Sequence, residues 1–205
     1  MKRVFPSCLM IAVLGSAIAA PAMAQVKYSC STPVDLVLRS TAVVELVDDG
    51  GMPGTTLGGT QFGADVVLTN CSASQLADMH LWTTGKAVLN PGQASGVYAT
   101  GVPGVGVSIR LSNLERIGWA HATLDARKQP LGYKELNNRE TLPVKLSYTL
   151  TFVKTGDIPE GHHVGTPQEV GVVEGGRLQG DVQMITKIVL PMTRFNVSRK
   201  PANPL

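Results

Sequence analysis

The sequence predicts an all-β protein, an Ig-like or jelly-roll β-sandwich closed by one disulfide. Three observations carry that expectation. The first is the stretch Leu142–Lys154, where Leu142, Val144, Leu146, Tyr148, Leu150 and Phe152 fall on every second position and Lys145, Ser147, Thr149 and Thr151 fall between them. A period of two held this long is that of a strand with one dry and one wet face. The second is that no other stretch after the N-terminal leader shows a helical period of comparable strength. The third is composition: 22 glycines and only 5% aromatic residues suit many turns between short strands. An apolar strand face must be covered by another layer, which leaves a sandwich or a barrel.

The chain opens on a leader. Lys2 and Arg3 precede the apolar run 8–20, and Ala22-Met23-Ala24 has the small-residue form of a cleavage site, so residues 1–24 read as a secretory signal peptide. The apolar run is too short for a membrane span. Cleavage after Ala24 leaves 181 of the 205 residues and lowers the formal net charge from +3 to +1. That length suits one domain with a core of its own. That charge points neither to a nucleic acid nor to an anionic membrane as partner. With Cys8 gone, Cys30 and Cys71 remain. Two cysteines in an exported chain read as a disulfide. Closing a loop of about 40 residues is worth roughly 4 kcal/mol in the chain-entropy model.

Each further element follows from local pattern. Residues 34–38 alternate and residues 42–47 continue with β-branched side chains, up to the turn cluster Asp48-Asp49-Gly50-Gly51-Met52-Pro53-Gly54. Gly58-Gly59 marks another turn, and 64–69 is a short apolar strand running into Cys71. Residues 76–89 resume β character, with His80, Trp82 and Thr84 in one phase. Residues 97–100 and 105–111 are strands separated by Gly101-Val102-Pro103-Gly104. In 112–132, Gly118, Pro130 and Gly132 argue for an irregular excursion. After the long strand, 155–161 is a turn, 164–173 a weaker strand ended by Gly175-Gly176, and 181–197 holds the last strands. Pro191 requires an edge, a bulge or a break there. The domain is expected over 25–198, with 199–205 as a tail.

Enzyme signals are weak. Asp48-Asp49 sits in a glycine-rich turn and reads as solvated. His162-His163, adjacent on a strand, point to opposite faces and cannot share a metal. Gly85-Lys86 lacks the upstream glycine of a phosphate loop, because position 80 is His80. No serine sits in a nucleophile elbow. Neither a cofactor nor a metal is called for, and no catalysis is expected. Aromatic side chains beside polar groups can instead bind a sugar, the ring stacking on its apolar face while polar groups meet its hydroxyls. The candidates are Trp119 and His121 in the excursion, with Trp82 and Tyr98; Tyr28 is a further aromatic residue to weigh.

Several of these features together resemble the subunits of chaperone–usher fimbriae. They are the leader, the two cysteines 41 residues apart, Gly104-Val105-Gly106-Val107, and the run from Leu150 through Phe152-Val153-Lys154-Thr155-Gly156 to Gly161. Only residues 25–29 precede Cys30, too few for the donor segment of an ordinary subunit. The chain is therefore most similar to the lectin-like N-terminal domain of a fimbrial tip adhesin. The resemblance implies export through the periplasm to the fimbrium at the cell surface. It implies an assembly chaperone, an outer-membrane usher and other fimbrial subunits as partners, and a host glycan or surface receptor as ligand. It offers one alternative, a structural minor subunit assembled by donor-strand exchange. No mannose pocket is carried over, since its loop residues have no match here.

Overall fold

The computed structural model describes residues 26–31, 35–58, 61–86, 96–114, 121–137, 142–180 and 182–200. The expected leader and most of the expected tail lie outside these residues. Among them there is no helix. The strands follow as β1 Tyr28–Cys30, β2 Leu36–Val37, β3 Val44–Asp48, β4 Gln61–Ala73, β5 Ala77–Gly85, β6 Val97–Ala99, β7 Val105–Asn113, β8 His121–Thr123, β9 Gln129–Leu136, β10 Leu142–Lys154, β11 Gly161–Val164, β12 Gln168–Gly176, β13 Val182–Leu190 and β14 Arg194–Arg199.

They form three sheets. The first runs β1-β4-β10-β7, with β6 and β8 end to end along the far edge of β7. The second runs β2-β13-β12-β5-β9, and the third β11-β14-β3. The long strand is as the sequence predicts, Leu142–Lys154, paired with β4 on one side and β7 on the other. Val144, Leu146, Tyr148, Leu150 and Phe152 all face the core. Leu146 and Leu150 join Ile109 and Leu111 of β7 in one buried cluster with Met79, Leu81, Val173, Ile185 and Ile188 of the second sheet. The chain is an all-β sandwich. The third sheet closes one end, where Phe195 meets Phe152 edge to face at 5.3 Å and 84°.

The disulfide joins Cys30 and Cys71, directly opposite each other on β1 and β4, with Cα atoms 4.0 Å apart. Two pairings are parallel, β2 with β13 and β3 with β14. The N-terminal and C-terminal segments thus run side by side. Both leave the second sheet and enter the third together, at 38–43 and at 191–193. Pro191 occupies that break, where no ladder bond is asked of it.

The structure corrects several expectations. The described part of 112–132 is largely strand: β7 runs to Asn113, β8 covers His121–Thr123, and Pro130 and Gly132 lie inside β9. β9 is an edge strand paired only with β5, and its register slips between His80 and Trp82. An edge tolerates a proline and a bulge tolerates Gly132 at φ 86°. Gly175-Gly176 are the last two residues of β12, still paired with β5 and β13, and the turn follows them at 177–180. A side chain on Gly175 would lie 2.5 Å from Ile185 Cδ1, so glycine there permits close packing. Ser198 and Arg199 belong to β14 and pair with β3. Asp48 is not solvated. It is the last, inward residue of β3, and its carboxylate accepts two hydrogen bonds from Lys154 Nζ, at 2.8 and 3.0 Å.

Candidate functional site

The second sheet turns one face to the core and one to solvent, and the alternation of β5 sorts its residues. Met79, Leu81, Thr83 and Gly85 are buried; Asp78, His80, Trp82 and Thr84 point outward. Register then sets their neighbours. His80 lies opposite Tyr133 of β9 and Gly176 of β12, and Trp82 opposite Pro130 and Glu174. The His80 ring stands 6.0 Å from that of Trp82 and 5.6 Å from that of Tyr133. Three rings therefore sit side by side on a half-exposed sheet face. Lys128 Nζ stands 4.6 Å from the Trp82 ring centroid and 3.1 Å from Glu174 Oε2. That places a cation–π contact and an ion pair on one lysine, which holds the indole in place.

Beside His80 the face meets the loop after β12. A cavity of about 410 Å³ runs there between His80, Asp78, Tyr28, Val26, Arg177 and Leu178. It adjoins one of about 320 Å³ that shares Val26, Tyr28 and Arg177 and reaches Gln183. Tyr28 forms the wall between them, its hydroxyl donating to the Asp78 carbonyl at 2.6 Å. Burial raises the Tyr28 pKa, so the phenol stays protonated; nearby Arg177 acts against that shift and Asp78 adds to it. The disulfide lies directly beneath. Gln183 Nε2 donates to Cys30 Sγ at 3.3 Å, and the bond pins the short β1 strand that supplies Tyr28.

The sequence candidates separate. Trp82 is on this face. Tyr98 is 2% exposed, a core side chain with no face for a ligand. Its hydroxyl has no hydrogen-bond partner among the described residues, and burial raises its pKa. A methyl group on Gly85 would overlap that hydroxyl, which is why glycine stands there. His121 is exposed on β8 in the first sheet, its Nδ1 2.7 Å from Ser112 Oγ. It belongs to a different sheet from Trp82. Trp119 lies outside the described residues. His162 and His163 alternate on β11 as expected, with His163 Nε2 at 2.7 Å from the Pro159 carbonyl. Among the described residues no three His, Cys, Asp or Glu side chains converge as a metal site.

Sequence reasoning missed Tyr133, Lys128 and Glu174. The shared phase of His80 and Trp82 was visible, but the partners across the sheet depend on register.

No family model and no curated protein sequence matches the chain. Solved structures similar to it include three adhesins. One is the receptor binding domain of the plasmid-born adhesin MrkD1P of Klebsiella pneumoniae, 16% identical over 87% of this chain and 100% of that one, with a TM-score of 0.44. Another is the Proteus mirabilis Ambient Temperature Fimbriae adhesin AtfE, 14% identical over 80% of this chain and 100% of that one, TM-score 0.44. The third is the CupB6 tip adhesin from Pseudomonas aeruginosa, 17% identical over 78% of this chain and 46% of that one, TM-score 0.46.

Proposed function

We propose that the chain is an exported, fimbria-associated adhesin domain that binds a host glycan or surface receptor without catalysis, through the outer face of the second sheet. The observation that carries this reading is the row Tyr133, His80 and Trp82 on a solvent-facing sheet, beside a trough lined by Tyr28, Arg177 and Asp78. Flat rings offer stacking surfaces to the apolar side of a sugar. Carboxylate, guanidinium and amide groups along the trough answer its hydroxyls. In this reading residues 1–24 are removed on export, and a periplasmic chaperone and an outer-membrane usher deliver the domain to other fimbrial subunits. His121 would form a separate contact on the first-sheet side, and Trp119 remains a further candidate for ligand contact.

A glycan array with the exported protein tests it. Binding to at least one glycan is expected. Trp82→Ala should weaken that binding about tenfold or more, as loss of a central aromatic anchor does, and Tyr133→Ala should weaken it less. His121→Ala tells whether the first-sheet side takes part, and Trp119→Ala whether that residue does. A protein that binds no glycan and becomes stable only with an added donor-strand peptide would overturn this reading in favour of a structural minor subunit.

A further inference from the structure

We propose a second ligand site where the chain changes sheets, one that holds the sulfate ester or carboxylate of an acidic sugar. The two parallel segments that pass together from the second sheet to the third, 38–43 and 191–193, do not close against each other. Between them lies a cavity of about 390 Å³, within the range of small-ligand sites. Arg39 stands on one segment, and Arg194 begins the strand that follows the other; Ser40, Thr193 and Met192 complete the lining.

The charge of this cavity is one-sided. Among the described residues no carboxylate lines it, and neither Arg39 nor Arg194 has an ion-pair partner. Several cations elsewhere do have carboxylate partners: Lys86 and Lys187 reach Glu169, Lys128 reaches Glu174, Lys154 reaches Asp48 and Arg199 reaches Glu160. The trough near Tyr28 differs, since Asp78 accompanies Arg177 there. Guanidinium groups bind sulfate and carboxylate oxygens through paired N–H donors, so two unpaired arginines on one small cavity select an oxyanion.

The walls are also held in place. The Leu38 amide donates to the Val189 carbonyl at 2.8 Å, and the Gly165 amide to the Thr193 carbonyl at 2.7 Å. Tyr148, from the core strand β10, donates its hydroxyl to the Arg39 carbonyl at 2.8 Å. Thr41 Oγ1 donates to the Val43 carbonyl at 2.8 Å, and Thr193 Oγ1 to the Pro191 carbonyl at 3.1 Å. The backbone carrying both arginines is thus fixed before a ligand arrives, which lowers the ordering cost of binding. The exposed Met192 thioether at the rim gives apolar surface to the ring that bears the anion.

The exported protein is titrated with a sulfated heparin-derived oligosaccharide, with sialyllactose, with neutral lactose and with inorganic sulfate. Binding of the sulfated or the sialylated probe is expected, and which of the two binds names the source of the anion. Arg39→Gln and Arg194→Gln should each weaken it about tenfold or more, the usual scale for a lost charged hydrogen bond. Arg110→Gln, an equal change of charge at an exposed residue of β7, should leave it unchanged. Thermal melting checks that each variant folds. If Arg39→Gln does not fold, Arg39→Lys and Arg194→Gln decide, and unchanged binding in both would overturn the proposal. Binding of neither acidic probe, equal loss in Arg110→Gln, or inorganic sulfate competing mole for mole with the oligosaccharide would also overturn it. The site stands apart from the aromatic face: Trp82→Ala should leave acidic-probe binding intact, so either reading can fail alone.

Discussion

Asp48 and Lys154 show how a single residue is read correctly only with its partner. The side chains of Lys154 and Asp48 are 9% and 7% exposed, at the ends of β10 and β3. A turn-rich neighbourhood suggests a solvated Asp48, yet Asp48 keeps phase with Val44 and Leu46, and Lys154 keeps phase with Leu150 and Phe152. Two opposite charges each in phase with a buried face are the signal that could have found the pair. The hydrogen bonds from Lys154 hold the Asp48 carboxyl below its ordinary pKa, helped by the Gly50 amide and against the opposing effect of burial. Asp48→Asn should therefore destabilise the protein at neutral pH by about 2 kcal/mol, the scale of a hydrogen bond between charged groups, whereas Asp49→Asn on the exposed turn should cost little. Because the folded pKa lies below the unfolded one, the pair's contribution is fully present above the ordinary carboxylate range. It is lost as pH falls through the folded value. Chemical denaturation of both proteins across acid pH checks this, with the difference between them shrinking toward low pH.

At the scale of elements, the two motifs that marked the family resemblance touch each other. Val105 and Gly106 of β7 lie opposite Lys154 and Val153 of β10. The Thr155 amide donates to the Gly104 carbonyl at 2.8 Å. Gly104 takes φ +73°, and a side chain there would stand 2.3 Å from the Asp157 carbonyl oxygen. Gly106 is pressed between Val97 and Thr155 in the same way. Turn and strand thus demand glycine for conformation and for space. Gly104→Ala should lower stability by roughly 2 kcal/mol through strain and displacement, read from the denaturant midpoint. β10 was legible end to end because one face is buried from Val144 to Phe152 and the pattern is unbroken. β9 was not, since Pro130 and Gly132 carry turn chemistry and only an edge position with a slipped register makes them strand residues.

For the whole molecule, the disulfide and the paired crossing of the chain ends organise the surface. Cys30–Cys71 ties β1 to β4 and so positions Tyr28 over the trough. Reduction should lower global stability by about 4 kcal/mol in the chain-entropy model and loosen the wall that Tyr28 makes. Denaturation with and without reductant measures the first effect. Alkylation followed by intact mass should add two groups to the exported protein only after reduction. The crossing of 38–43 and 191–193 brings Arg39 beside Arg194, two residues 155 positions apart in the chain.

The sequence by itself determined the strand-rich class, the disulfide and the long strand with both its ends, and it limited Pro191 to an edge, a bulge or a break. These follow from local rules: alternation, turn chemistry and cysteine parity act over a few residues and leave their mark in order along the chain. The tertiary structure decided what lies beside what. It buried Tyr98, set Tyr133 and Lys128 against Trp82, paired Asp48 with Lys154 and brought the two arginines to one cavity. Strand register and the parallel course of the two ends are set by the summed burial of whole faces. No single stretch of sequence records that sum.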